Sequence, residues 1–183
     1  MAPISIGDEA PNFDLSSTED ALLMLRDEVI QTSIVLYFFA DAASDRTRSD
    51  LAALNQALPE LRKLRARVLA VSPVKLEDLK KLQVEHKLLF PLLHDDRGFS
   101  ARDGVGAPPP EGIQAAPEGQ APPPAAPALV VVSRKQRILW LANPVVGVAA
   151  ALAEVTRLLK GQPSPTGSYP RSIINRLIDR WVN

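Results

Sequence analysis

The run SIVLYFFA, Ser33–Ala40, is the strongest constraint on what this chain can fold into. It is a continuous β-branched and aromatic stretch without a charged residue, which marks a strand buried on both faces. A short polar elbow follows. Leu51, Leu54, Leu58, Leu61 and Leu64 then recur at spacings of three and four, the stripe of an amphipathic helix. Pro59 lies inside that stripe, and because it lacks an amide donor it is expected to kink the helix or split it in two.

The remaining pattern repeats the theme. RVLAVS, Arg67–Ser72, reads as the next strand, and Ser72-Pro73 reads as the N-cap and first residue of a helix through Leu76, Leu79 and Leu82. FPLLHDD, Phe90–Asp96, suggests a short strand ending in a turn. ALVVVS (Ala128–Ser133) and RILWLA (Arg137–Ala142), separated by Arg134-Lys135-Gln136, form a β-hairpin pattern. A last helix, Val148–Lys160, stops at Gly161. Near the start, Pro11–Leu15 is extended, and STEDALLMLRDEVIQTS fits either a strand and turn or a short helix. Strands alternating with helices before a closing hairpin predict a three-layer α/β/α sheet of mixed direction.

Composition narrows the function classes. A chain of 183 residues suits one domain with a sizeable core. Lys+Arg and Asp+Glu both total 21, so no basic field argues for nucleic acid. Cysteine is absent, which excludes disulfides, thiolate catalysis and zinc–thiolate sites. No cofactor is implied. MAPISIGDEAPNFDL has neither the basic nor the apolar region of a secretory signal, and no apolar stretch reaches the roughly 20 residues of a spanning helix. The expectation is a cytoplasmic protein, alone or within a larger, membrane-associated assembly. His86 and His94 have no metal or triad spacing around them, and His94-Asp95-Asp96 reads as a solvated turn. KLEDLKK, Lys75–Lys81, is a charged outer helix face, and Met24 reads as core.

Two segments depart from the compact domain of residues 1–162, one inserted within it and one following it. Ala107–Pro127, APPPEGIQAAPEGQAPPPAAP, holds eight of the 17 prolines and reads as an exposed insertion, either a spacer or a polyproline ligand for aromatic grooves. Residues 163–183 begin with helix breakers. Ile173, Ile174, Leu177, Ile178 and Trp181 then share one helical face, opposite Arg176, Asp179 and Arg180. So short a helix needs a cover for that face. The chain's own domain or a second copy is preferred, then a protein partner. A lipid surface comes last, because three arginines against one aspartate carry little charge for that role.

The order of these pieces resembles the peroxiredoxins of the alkyl hydroperoxide reductase/thiol-specific antioxidant (AhpC/TSA) family, above all the bacterioferritin-comigratory type, over about residues 4–159. IGDEAPNFDL (Ile6–Leu15) is similar to the family's first strand, and SIVLYFFADAAS to the strand and active-site loop. VLAVSPVKLEDLKKLQVEHKLLFPLLHDDRGFSARDGVG (Val68–Gly106) is the most specific stretch, and ALVVVSRKQRIL resembles the late hairpin. The resemblance implies a thioredoxin-like fold. It also implies an active loop of proline, threonine or serine, and peroxidatic cysteine, whose positions here are Ala40, Ser44 and Thr47. The resolving cysteine of some members corresponds to Ala52, and the family's arginine to Pro127. Edge-to-edge dimers would bring Ala40–Thr47 near an interface.

Peroxide reduction needs a thiolate that attacks the O–O bond and becomes a sulfenic acid. Threonine has no such oxidation state, so thiol peroxidase activity is excluded on sequence. The reading is a protein that has lost its redox centre and acts as an interaction or accessory subunit through its tail or proline-rich loop. No catalytic residue is assigned. The alternative is a small-anion binder or non-thiol enzyme at the helix N-terminus with Ser44, Thr47, Arg46 and Arg48. Simple capping by Ser44 or Asp45 would explain those residues without a ligand.

Overall fold

A computed structural model describes residues 5–97, 100–105, 107 and 126–161. The strands are β1 (Asp14–Ser17), β2 (Leu22–Met24), β3 (Ser33–Phe38), β4 (Ala66–Ser72), β5 (Leu92–His94), β6 (Ala128–Val132) and β7 (Ile138–Ala142). They form one seven-stranded sheet in the order β2-β1-β5-β4-β3-β6-β7. Its centre, β5-β4-β3, is parallel, while β1, β2, β6 and β7 pair antiparallel to their neighbours. The expected three-layer mixed sheet is therefore the observed one.

All six residues of β3 are buried, and their alternation divides the core. Val35, Tyr37 and Phe39 join Val68, Ala70, Leu129 and Val131 under α2 (Asp45–Lys63), α3 (Leu76–Glu85) and α5 (Val148–Leu159). Ile34, Leu36 and Phe38 join Leu69, Val71, Val130 and Val132 on the opposite face. That face is covered by Phe13, by α1 (Leu25–Glu28) with Val29, and by Ala101 and Val105 of and beside α4 (Ser100–Gly104). Period-two side chains on a central strand thus feed two separate apolar clusters.

Four local expectations are corrected. Pro59 does not split its helix: α2 is continuous, with Pro59 on the exposed side, where water can bond the Asn55 carbonyl that has lost its amide partner. Ser72 does not cap α3. It is the last residue of β4, pairing with His94, and its hydroxyl accepts from the Val74 amide at 3.2 Å while Lys75 takes the N-cap position. The Asp95 part of the supposed solvated turn is buried, its Oδ2 accepting from the Ala101 amide at 2.7 Å. Met24 is only half-buried, its sulfur 3.5 Å from Arg26 Nη2.

The ambiguous early segment contains both alternatives, strand β2 running straight into the one-turn α1. Gly161 takes the left-handed φ of +73° that ends α5, as a C′ glycine should. Most of the proline-rich insertion and all of the tail after Gly161 lie outside the described residues. No helix among the described residues is long and apolar enough to cross a membrane.

Candidate functional site

The carboxyl ends of β3, β4 and β5, the amino end of β6 and the carboxyl end of β7 meet at one edge of the sheet. The elbow lies there. Asp41 Oδ1 accepts from the Ala43 amide at 2.8 Å, closing a tight turn that delivers the chain to α2. Ser44 occupies the N-cap position in extended geometry, but its side chain makes no cap bond. Capping by Ser44 is therefore positional only. Asp45 contributes its negative charge to the first turn, favourable against the helix dipole.

The four residues expected to gather around an anion take different directions. Arg48 pairs with Asp45 at 3.4 Å on the surface. Arg46 donates through Nη2 to the carbonyls of Val145 and Val146, the latter at 3.1 Å, and its Nε lies 3.8 Å from Asp50 Oδ2. Thr47 is buried, 5% exposed, on the same helical face as Asp50, Leu51 and Leu54. Ala40 is buried as well.

What fills the space under the elbow is a polar cluster that sequence reasoning missed. Tyr37 donates its hydroxyl to Asp50 Oδ2 at 2.9 Å in a buried setting, and its ring stacks on Phe39 with centroids 5.8 Å apart. Burial first, then the Asp50 carboxylate, hold the phenol protonated far above its ordinary range. The Thr47 hydroxyl and the Arg46 charge pull weakly the other way. A signal was available: Thr47 and Asp50 sit at helical spacing in line with the leucine stripe, polar residues on a core-facing side.

A second buried group borders the same edge. Arg102 of α4 is 1% exposed; Nε donates to the Ala107 carbonyl at 2.6 Å and Nη2 to Asn143 Oδ1 at 2.8 Å, while Nη1 has no partner. Burial pushes its guanidinium down to about 10, still protonated at neutral pH, with Asp103 acting in the opposite sense. The crevice it borders with Phe38, Phe39, Ser72, Pro73 and Asp95 is too narrow for a water. Asn143, Val145 and Val146 thus form one short loop held by two arginines, Arg102 from one face of the sheet and Arg46 from the other. The Pro127 position carries no cation; its carbonyl accepts from the Val145 amide at 2.8 Å.

An AhpC/TSA family model matches residues 6–140. The chain belongs to that family. A comparison of the sequence with curated proteins gave no match. Among solved structures, peroxidoxin BcpB from Mycobacterium tuberculosis aligns with a TM-score of 0.74 at 16% identity, over 88% of this chain and 99% of its own. A cysteine-to-serine variant of PrxQ from Xylella fastidiosa aligns at 0.70 and 20% identity, over 87% and 98%. AhpC from Mycobacterium bovis aligns at 0.70 and 16% identity, over 93% and 100%. At these identities the likeness establishes the thioredoxin-like peroxiredoxin fold. This AhpC/TSA chain contains no cysteine, and no cluster of three or more metal-ligating side chains occurs among the described residues.

Proposed function

We propose that this peroxiredoxin-like protein has no thiol peroxidase activity and serves as an interaction module, an accessory subunit of a larger assembly. One observation carries the first half: the chain has no thiol at all, and Thr47, the residue that the sequence resemblance puts at the family's peroxidatic position, is buried in the Tyr37, Asp50 and Arg46 cluster. Peroxide reduction transfers an oxygen to sulfur as the O–O bond breaks, and the resulting sulfenic acid is reduced by a second thiol. A threonine oxygen can take neither step. In an assay of hydrogen peroxide consumption with excess dithiol, the purified chain is expected to match the protein-free rate. A protein-dependent rate that survives metal chelation would overturn the reading.

The second half rests on the sequence of the tail, whose Ile173, Ile174, Leu177, Ile178 and Trp181 make an apolar helical face, and on the proline triplets of the insertion. Capture from the native cell, with the full chain against one ending at Gly161, tests it. A defined partner retained only by the full chain, and lost when Ile174, Leu177 and Trp181 are made polar, is the expected result. Identical partner-free eluates with monomeric elution would remove the docking role.

The alternative, a small anion at the α2 N-terminus, is favoured by one feature: the N-cap residue Ser44 makes no side-chain cap bond. Against it, Arg46 already serves two carbonyls and Arg48 serves Asp45. A phosphate-dependent rise in melting temperature, abolished by Arg46→Ala and Arg48→Ala together, would reinstate it.

A further inference from the structure

The opposite edge of the sheet holds a cleft that neither the family's chemistry nor the elbow uses. It lies where β4 begins and the chain enters β5, and it measures about 340 Å3, within the range of small-molecule sites. Its apolar part is Leu58, Ala66, Val68, Leu89, Phe90 and Pro91, and its polar part is Arg62, Arg65 and Arg67 with Glu19 and Thr32.

The three arginines are not equivalent. Arg67 is satisfied by carboxylates, with Nη1 on Glu28 and Nη2 3.5 Å from Glu19. Arg62 spends one nitrogen on the Leu89 carbonyl at 3.3 Å and has no carboxylate partner within 4.0 Å among the described residues. Arg65 has neither a side-chain hydrogen bond nor an ion pair there. It is held on the rim by its backbone: φ is +52°, its amide bonds the Arg62 carbonyl at 3.0 Å, and its carbonyl accepts from the Ser33 amide at 2.9 Å. A left-handed C′ position favours glycine, so this arginine sits where the local conformation does not ask for one.

The facing wall is preformed. Asn55 clamps the loop after α3 by donating to the Lys87 carbonyl at 3.2 Å and accepting from the Leu89 amide at 2.8 Å, and Gln83 donates to the Phe90 carbonyl at 3.0 Å. Leu89 is left 66% exposed at the mouth.

We propose that this cleft binds a small amphiphilic organic anion, with an aryl or short acyl body on the Leu58–Phe90–Pro91 floor and a phosphate, sulfonate or carboxylate between Arg62 and Arg65. Guanidinium forks suit oxyanions of that shape, and the apolar floor distinguishes such a ligand from inorganic phosphate. The site is independent of the docking reading and of the elbow.

The test is a fluorescence titration of the full chain with 8-anilinonaphthalene-1-sulfonate, beside the uncharged N-phenyl-1-naphthylamine, with phenyl phosphate as competitor. One saturable site, displaced by phenyl phosphate but not by inorganic phosphate at equal concentration, is expected. Arg62→Gln and Arg65→Gly should each weaken the anionic dye about tenfold while leaving the neutral dye within about twofold. Arg65→Gly suits the left-handed backbone, so its folding is secure, and Arg62→Gln keeps a donor for Leu89. Lys81→Ala, an equal loss of charge on the exposed face of α3 outside both the cleft and the elbow, should change nothing. Absence of saturable binding, or equal affinity of the wild type and the two cleft variants, overturns the assignment.

Discussion

Arg102→Ala is expected to destabilise the fold by about 3 kcal/mol, a fall in melting temperature of roughly 6–12 °C for a chain of this size. The side chain is almost fully enclosed, so truncation leaves a void; it also removes the Arg102 donor from the Ala107 carbonyl and from the Asn143 side-chain oxygen. The loop that Arg102 holds is the one that also engages Arg46, so loosening should reach the elbow from below. Arg102→Met separates the causes. It restores most of the volume and removes a desolvated cation that joins no described ion pair and leaves Nη1 unbonded, so its cost should be less than half that of alanine. Urea midpoints of the three proteins decide it. If methionine is as damaging as alanine, the two hydrogen bonds, not the filled volume, hold this corner together.

What could be read from the sequence follows from which forces are local. β3 was legible because a run buried on both faces admits few alternatives, and α2 because four leucines within it, and a fifth at its C-cap, keep helical spacing. The hairpin of β6 and β7 was legible from two apolar runs around a three-residue polar break. The start of α3 was not. Ser72-Pro73 satisfies every local rule for a helix start, yet Ser72 is drawn into the sheet by a β5 partner twenty-two residues away. Local propensity lost there to a long-range ladder. Pro59 was misjudged for a related reason: the penalty for a missing amide depends on whether the orphaned carbonyl faces water, which spacing alone does not reveal.

The site was legible in its backbone and illegible in its side chains. The strand–elbow–helix arrangement and the absence of any thiol were visible in one dimension. The redirection of Arg46 was not, since its acceptors lie about a hundred residues downstream. Arg102 was harder still, because an arginine in a polar stretch is ordinarily a surface residue.

Asp50→Ala is expected to cost about 2–3 kcal/mol, since it takes the carboxylate acceptor from a buried phenol hydroxyl and leaves Arg46 without its neighbouring carboxylate. Asp50→Asn keeps an acceptor for Tyr37 and should cost clearly less. A cycle combining Asp50→Ala with Tyr37→Phe should show a coupling of about 1–2 kcal/mol, and additive losses would mean that the two residues act independently. The pH dependence supplies a second, independent readout. The folded-state pKa of Tyr37 is raised, so the folded protein holds the proton more tightly than the unfolded chain. Its contribution is fully present below the ordinary tyrosine value of about 10 and is lost progressively as pH rises above it. Wild-type stability should therefore fall more steeply above about pH 10 than that of Tyr37→Phe, and the wild-type-minus-variant difference spectrum should show no tyrosinate until the protein unfolds. Tyrosinate appearing near pH 10 in the folded wild type would mean that the cluster under the elbow is open to solvent. In that case Thr47 and its neighbours would form an accessible site rather than a sealed part of the core.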